Sequence, residues 1–159
     1  PSIRHVGIRD GAYGVSDHNW HVFSGSYQCY LFRNGNQSGG ANGNDSWAAT
    51  ALPGTANAWY VEQCYFTDNG ATTVGICDSW EGGRYVLRNN TGTTAQFHFS
   101  NHGTESSQNL RSGRFIEAYR NTITSTSNHS RIAEYRGGTG VQWGNSYTMS
   151  GSSSMALTS

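Results

Sequence analysis

Asp78, Trp80, Glu81 and Arg84 fall close together in the chain, and His102, Glu105, Arg111 and Arg114 form a second group. Arg136 stands further on, and Asp45 and Trp47 stand earlier. Indole faces cover the apolar face of a sugar ring, and charged groups hold hydroxyls or uronates. Trp47, Trp80, His102, Arg111 and Arg136 are therefore candidate glycan contacts. The plainer reading makes all of them solvated loop residues whose arginines pair with neighbouring carboxylates. Glycoside hydrolysis needs two carboxylates about 5–9.5 Å apart. Asp78, Glu81 and Glu105 are the one cluster that could supply them.

Other chemistries find less support. His98 and His102 are spaced for a metal, but Phe99-Ser100-Asn101 between them straddles a strand end, so the rings need not share a face. His18 and His21 raise the same objection. No metal ligand set is assigned, and no cofactor is expected. Calcium is the single ion considered. The loop Gly35–Asp45 has the glycines of a calcium-binding repeat but one Asp and no nonapeptide period. No Ser/His/Asp signature, P-loop or dinucleotide fingerprint occurs.

The elements that must hold these residues follow from composition. Gly (21), Ser (20), Thr (15) and Asn (14) dominate the 159 residues, and all ten basic residues are Arg. That composition disfavours helix interiors. A net charge of zero without an arginine cluster excludes a basic nucleic-acid binder, and no apolar run approaches ~20 residues, so no membrane helix is expected. Twenty aromatic residues argue against disorder. The remaining class is all-β and dense in turns. Cys29, Cys64 and Cys77 read as small buried apolar residues, since an odd count closes no disulfide framework. Four N-x-S/T sequons, at Asn36, Asn44, Asn89 and Asn128, match chance for this composition. The chain begins at Pro1, which reads as processed, excised or partial.

A repeat underlies the variable loops. Trp59–Phe66, Tyr85–Thr91 and Ile116–Ile123 align so that Trp59, Tyr85 and Ile116 share a position. Val61, Leu87 and Ala118 share the next apolar position, and Cys64, Asn90 and Asn121 share a marker position. Phe66 and Ile123 match, with Gly92 between. A weaker copy ends at Asn19, and another around Val141–Asn145 fits with one residue bulged. Leu31, Ile76, Phe99 and Ile132 mark a second strand after each marker. Each repeat thus reads strand, turn, second strand and loop, the loops being Asn34–Asn57, Asp78–Gly83, Asn101–Gly113 and Arg136–Gly140. Short strands at a period of ~20–45 residues stack as a parallel β-solenoid of about five coils with the loops along one flank. The marker asparagines can pass side-chain amides from coil to coil, with Cys64 an apolar interruption. An antiparallel β-sandwich is the competing fold, and the two-residue turns it needs are scarce.

The stretches Gly54–Phe66, Gly82–Thr91, Asn101–Ser106, Arg114–Ile123 and Arg136–Val141 resemble coils of the right-handed parallel β-helix (pectin-lyase-like) proteins. The likeness covers about residues 13–148 and is nearest to the secreted bacterial and phage repeat proteins without assigned activity. It implies a right-handed helix over residues 1–149, followed by a Ser-rich tail at 150–159. In such folds a lyase uses Arg or Lys as base beside an acidic calcium site. The Asp clusters of pectate lyases and the paired aspartates and Gly-His-Gly of polygalacturonase-like enzymes are missing here. The expected function is an extracellular or surface-associated structural or adhesive module of a fibre or filament. It would self-associate through solenoid ends and contact polysaccharide, with no nucleic-acid partner and no membrane insertion. The alternatives are a polysaccharide lyase or glycoside hydrolase at Asp78, Glu81, Glu105 and Arg114, and a tailspike-like receptor-binding module.

Overall fold

The computed structural model describes residues 6–9, 11–23, 28–33, 54–69, 75–94, 97–102, 112–125 and 131–149. These residues form strands and no helix. The first sheet holds β1 (Val6–Arg9), β4 (Tyr30–Arg33), β7 (Cys77–Ser79), β10 (Phe97–Asn101) and β13 (Arg131–Tyr135). The second holds β2 (Gly14–Asp17), β5 (Trp59–Glu62), β8 (Arg84–Arg88), β11 (Phe115–Tyr119) and β14 (Thr139–Trp143). The third holds β3 (Trp20–Phe23), β6 (Tyr65–Asp68), β9 (Thr91–Thr94), β12 (Thr122–Ser125) and β15 (Ser146–Thr148). Every pairing of these strands is parallel. Each sheet takes every third strand, so the chain visits the three sheets in turn, an architecture consistent with a β-solenoid. Consecutive strands never pair with each other. Bends of two residues can therefore join them, although parallel neighbours within one sheet need long connections.

The second sheet has the register read from the sequence. Trp59 pairs with Tyr85 and Tyr85 with Ile116, while Val61 pairs with Leu87 and Leu87 with Ala118. Period-2 alternation turns these residues into the core. Val61, Tyr85, Leu87, Ile116 and Ala118 are fully buried. Phe32 of the first sheet stacks on Tyr85 at 4.6 Å, and His21 of the third stacks on Phe66 at 5.0 Å.

Three expectations need correction. The repeat contains three strands, because a third sheet follows each marker. Its strands place one main residue inward, in the column His21, Phe66, Gly92, Ile123 and Tyr147, which is too little apolar periodicity to register as a strand. The first-sheet column is Tyr30, Cys77, Phe99 and Ala133, so the expected markers Leu31, Ile76 and Ile132 each lie one residue out of register. No bulge interrupts β14: Phe115 pairs with Thr139 and Tyr119 with Trp143 in unbroken register. Gly140 and Gln142 take the positions of Ile116 and Ala118, which leaves Val141 and Trp143 outside. The loop bounds also shrink, since Asp78, Ser79, Asn101, Thr139 and Gly140 belong to strands. Residues 34–53 and the tail at 150–159 lie outside the described residues.

The bend between the second and third sheets repeats most faithfully. His18, Gln63, Asn89, Arg120 and Gly144 all have φ between 51° and 61°. One left-handed residue followed by the marker turns the chain, although each non-glycine there costs roughly 1 kcal/mol. An amide ladder secures it. Asn121 Oδ1 accepts from the main-chain N–H and the Nδ2 of Asn90, both at 3.0 Å, and its own Nδ2 donates to Leu87 O and Asn145 Oδ1. Asn145 repeats the pattern with Ala118 O and Asn121 N. Asn90 Nδ2 donates to Val61 O, and Cys64 N donates to Asn90 Oδ1. The Cys64 thiol does more than interrupt this ladder: Sγ contacts Ser16 O at 3.5 Å, three residues before Asn19, where an asparagine would place its donor. All three cysteines are buried and unbridged, as the odd count suggested.

Candidate functional site

The site stands where the first sheet gives way to the second. Its base is a row of outward positions in register on the first sheet: Leu31, Asp78, Ser100 and Glu134. Two residues along each strand, on the same face, come Arg33, Trp80, His102 and Arg136, with Arg9 in register beside Arg33. Strand alternation therefore converts four dipeptide-spaced pairs (Leu31/Arg33, Asp78/Trp80, Ser100/His102, Glu134/Arg136) into two files running across the sheet.

The outer file is a stack. The Arg33 guanidinium lies 4.1 Å over the Trp80 ring, and Trp80 meets His102 edge-on at 4.9 Å. Arg33 Nη1 also stands 3.9 Å from Glu81 Oε1. Arg136 Nη2 lies 3.6 Å from Glu134 Oε2. The turn that aims Trp80 has Glu81 at φ 49° and Gly82 at φ 75°, with Gly83 N–H donating to Trp80 O at 2.8 Å. These are the φ signs of a type I′ turn, a strained setting for Glu81, whose carboxylate is buried beside Arg33.

The inner file is enclosed. Asp78, Ser100 and Glu134 are all buried. Burial pushes the Asp78 carboxyl up to about 7, against the lowering effects of the Ser79 N–H, Arg136, Ser100 and Trp80. The Ser79 amide donates to Asp78 Oδ1 at 2.8 Å. Ser100 Oγ reaches Glu134 Oε2 at 3.5 Å, so one hydroxyl stands between two acids. A carboxyl that is half-protonated near neutrality beside a second acid can give or take a proton there.

Asp78, Trp80, Glu81, His102 and Arg136 come together here, drawn from three separate stretches of the chain. Arg84 and Arg114 stand just beyond, at the start of the second sheet. There Arg84 Nη1 reaches Tyr13 Oη at 3.5 Å and Arg114 Nη1 reaches Thr139 Oγ1 at 3.4 Å. Asp45, Trp47, Glu105 and Arg111 lie outside the described residues. Sequence reasoning missed Arg9, Arg33, Ser100 and Glu134. The signal was the shared i, i+2 spacing of the four pairs, hidden by treating Asp78 and Asn101 as loop residues. The two histidine pairs separate: His98 Nδ1 lies 3.1 Å from Tyr147 Oη while His102 packs on Trp80, and His18 lies beside Asp17 while His21 contacts Tyr30 and Phe66. Among the described residues no three His, Cys, Asp or Glu side chains gather to hold a metal ion.

The outer face of the second sheet carries a further file. Arg88 pairs with Glu62, lies 4.8 Å over Tyr60 and donates to Tyr119 Oη at 3.1 Å. Tyr119 stacks on Trp143 at 4.0 Å. Gly54 N–H donates to Glu117 Oε1, and Tyr60 Oη donates to Thr55 O, so residues 54–58 cross this face. An open groove of about 480 Å³ remains between Tyr13, Val15, Ala56, Tyr60 and Arg88. Comparison with protein-family models, curated proteins and solved structures finds no significant match to the chain.

Proposed function

We propose that the chain is a right-handed parallel β-helix of five coils, of pectin-lyase-like type. We propose further that it serves as an extracellular structural and adhesive module that grips acidic polysaccharide at its first corner. Right-handed crossovers are near-universal for parallel strands, which supports the hand. The observation that carries the glycan reading is the stack of Arg33 on Trp80 and Trp80 on His102. Arg136 lines the same corner, with Arg9 in register beside Arg33 and Arg84 and Arg114 just beyond, and Arg33 and Arg136 face the acids Glu81 and Glu134. Guanidinium groups pair with uronate or sulfate, and an indole edge supplies apolar contact. A glycan array probed with the chain should show acidic polymers bound. Trp80→Ala and Arg33→Ala should each weaken the best ligand about tenfold, or ~1.4 kcal/mol. Unchanged affinity in both variants would sink the assignment.

Self-association through the strand edges belongs to the same proposal. Among the described residues, β1, β2 and β3 at one end and β13, β14 and β15 at the other pair on one side only. Val15 and Trp20 are 55% and 72% exposed at the first end, and Val141 and Trp143 are both 46% exposed at the second. Unpaired edges of this kind recruit further strands. Head-to-tail joining would give filaments, visible by electron microscopy and by concentration-dependent sedimentation.

A second reading is supported by the enclosed Asp78–Ser100–Glu134 file, which suits acid–base chemistry on the same polymer. It predicts unsaturated or reducing-end products, abolished by Asp78→Asn and Glu134→Gln with binding retained.

A further inference from the structure

The third sheet carries a pattern that the glycan reading leaves unused. Asn90-Thr91-Gly92-Thr93, Asn121-Thr122-Ile123-Thr124 and Asn145-Ser146-Tyr147-Thr148 repeat one motif, Asn-Thr/Ser-x-Thr. The structure sets the three copies side by side. Thr122 pairs with Thr91 and with Ser146, and Thr124 pairs with Thr93 and with Thr148. The middle residues face inward, with Ile123 in the core and Tyr147 packed against it. Thr91, Thr122, Thr124, Ser146 and Thr148 are exposed and Thr93 is half-buried. Six hydroxyls therefore stand in two files, and the half-buried Thr93 Oγ1 accepts from the Asp68 N–H at 2.9 Å. Strand separation spaces them by ~4.8 Å within a file, and a two-residue rise separates the files by ~6.6 Å.

We propose that this face is an ice-binding face, its ligand the ordered water of an ice surface. Hexagonal ice presents on its prism faces a nearly rectangular oxygen lattice, and these two spacings lie close to its two repeats. Three features favour that ligand. First, a side-chain ladder runs beside the array, which favours a flat sheet. Sheets normally twist, and side-chain ladders are a recognised way to suppress it. The three strands bearing the motif are those preceded by the Asn90, Asn121 and Asn145 ladder, whose steps stay between 2.9 and 3.0 Å. Second, threonine is rigid at χ1, so the five threonines each present a fixed hydroxyl beside a fixed methyl, and Ser146 adds a hydroxyl alone. The hydroxyls take lattice positions while the methyls exclude liquid water. Third, the outward positions of the whole sheet (Trp20, Val22, Tyr65, Thr67, Thr91, Thr93, Thr122, Thr124, Ser146 and Thr148) include no carboxylate or basic group. A crystalline polysaccharide fits less well. Trp20 and Tyr65 meet at 76° and so offer no coplanar aromatic platform. A second copy of the chain would find no apolar centre on the hydroxyl array to bury.

The test is partition of the purified full chain into a slowly grown ice shell, with crystal shaping watched in a nanolitre osmometer. The wild-type chain should be enriched in ice and should facet the crystals. Thr124→Tyr and Thr122→Lys, both at exposed strand positions, should each lower enrichment at least tenfold with unchanged circular dichroism. Glu62→Gln, on the outer face of the second sheet, should behave as wild type. Exclusion of the wild type from ice, to the level of serum albumin, overturns the proposal. So does full enrichment of both threonine variants, or a face-dependent affinity for crystalline cellulose or chitin in place of ice.

Discussion

Two buried titratable residues set opposite pH responses. Asp78 binds its proton more tightly in the folded chain, its value rising from 3.8 to about 7 through burial. Its contribution to stability is therefore lost as pH rises through that window. His98 is enclosed beside Tyr147, and burial lowers it from 6.5 to about 3. Its contribution is lost as pH falls through that window. The two windows overlap between about 4 and 6.5, where the slopes oppose each other. Urea unfolding of the wild type should therefore change little across this range. Asp78→Asn should remove one slope, so that stability climbs with pH to about 6.5 and then levels, gaining on the order of 1 kcal/mol at pH 8. A variant whose profile parallels the wild type would mean that Asp78 is not the enclosed acid described above. Asn121 gives a second prediction at this scale. Asn121→Ala removes four hydrogen bonds and leaves the Asn90 N–H buried without its acceptor. A loss of about 2–4 kcal/mol is expected in the same unfolding experiment. Asn121→Asp, which keeps the acceptor but loses the donor, should fall between.

At the scale of the strand, position decides more than residue type. Gly92 interrupts the Phe66 and Ile123 column for a spatial reason. A Cβ there would stand 2.2 Å from Phe66 O and 2.7 Å from Phe66 N, and both are main-chain atoms that cannot turn aside. Gly92→Ala should therefore lower the melting temperature by several degrees, on the order of 2 kcal/mol. Gly11→Ala, where no atom lies within 4 Å of the added methyl, should cost less. The same distinction explains which elements the sequence reveals. The second-sheet register was readable because Trp59, Tyr85 and Ile116, then Val61, Leu87 and Ala118, make two apolar columns at period 2 beside a polar marker. The third sheet was not, because Thr91, Thr122 and Ser146 face outward and the second inward position of β9 and β12 holds the polar Thr94 and Ser125, so no apolar period shows. The copy at Val141–Asn145 misled for a related reason. At β14, the last described strand of the second sheet, Gly140 and Gln142 occupy the inward columns, so following the apolar residues selects the outer ones. Asp78, Trp80 and Glu81 were found as a local cluster. Arg33, Ser100 and Glu134 were not, because only strand register brings them to the same face across 101 residues of chain (Arg33 to Glu134).

For the molecule as a whole, the three sheets divide the labour by surface. The first corner gathers arginines and acids, the second sheet carries a tyrosine–tryptophan file, and the third carries hydroxyls. The loop lengths differ at the first corner and stay fixed at the second, where a left-handed residue and a ladder residue leave no room for insertion. Lengthening the first corner at Gly137 by two residues should be tolerated with a stability change within ~1 kcal/mol, as closure entropy grows slowly with length. The same insertion after Arg120 should abolish cooperative unfolding, since it shifts Asn121 out of line with Asn90 and Asn145. Comparable melts for the two insertions would refute the asymmetry.

The thiol at the ladder's edge has a practical consequence. Cys64 sits one strand from β2, which among the described residues pairs on one side only, whereas Cys77 is enclosed at the centre of the first sheet, and burial raises both thiols. The chain thus carries alkylation reporters at two depths, Cys29 and Cys64 one strand from that end and Cys77 further in, along a single line of unzipping. Iodoacetamide trapping followed by peptide mass mapping would time them separately. If the molecule frays from its β1–β3 end, Cys29 and Cys64 are modified first and Cys77 follows only with global opening. Synchronous labelling would instead reveal a rod that opens as one cooperative unit.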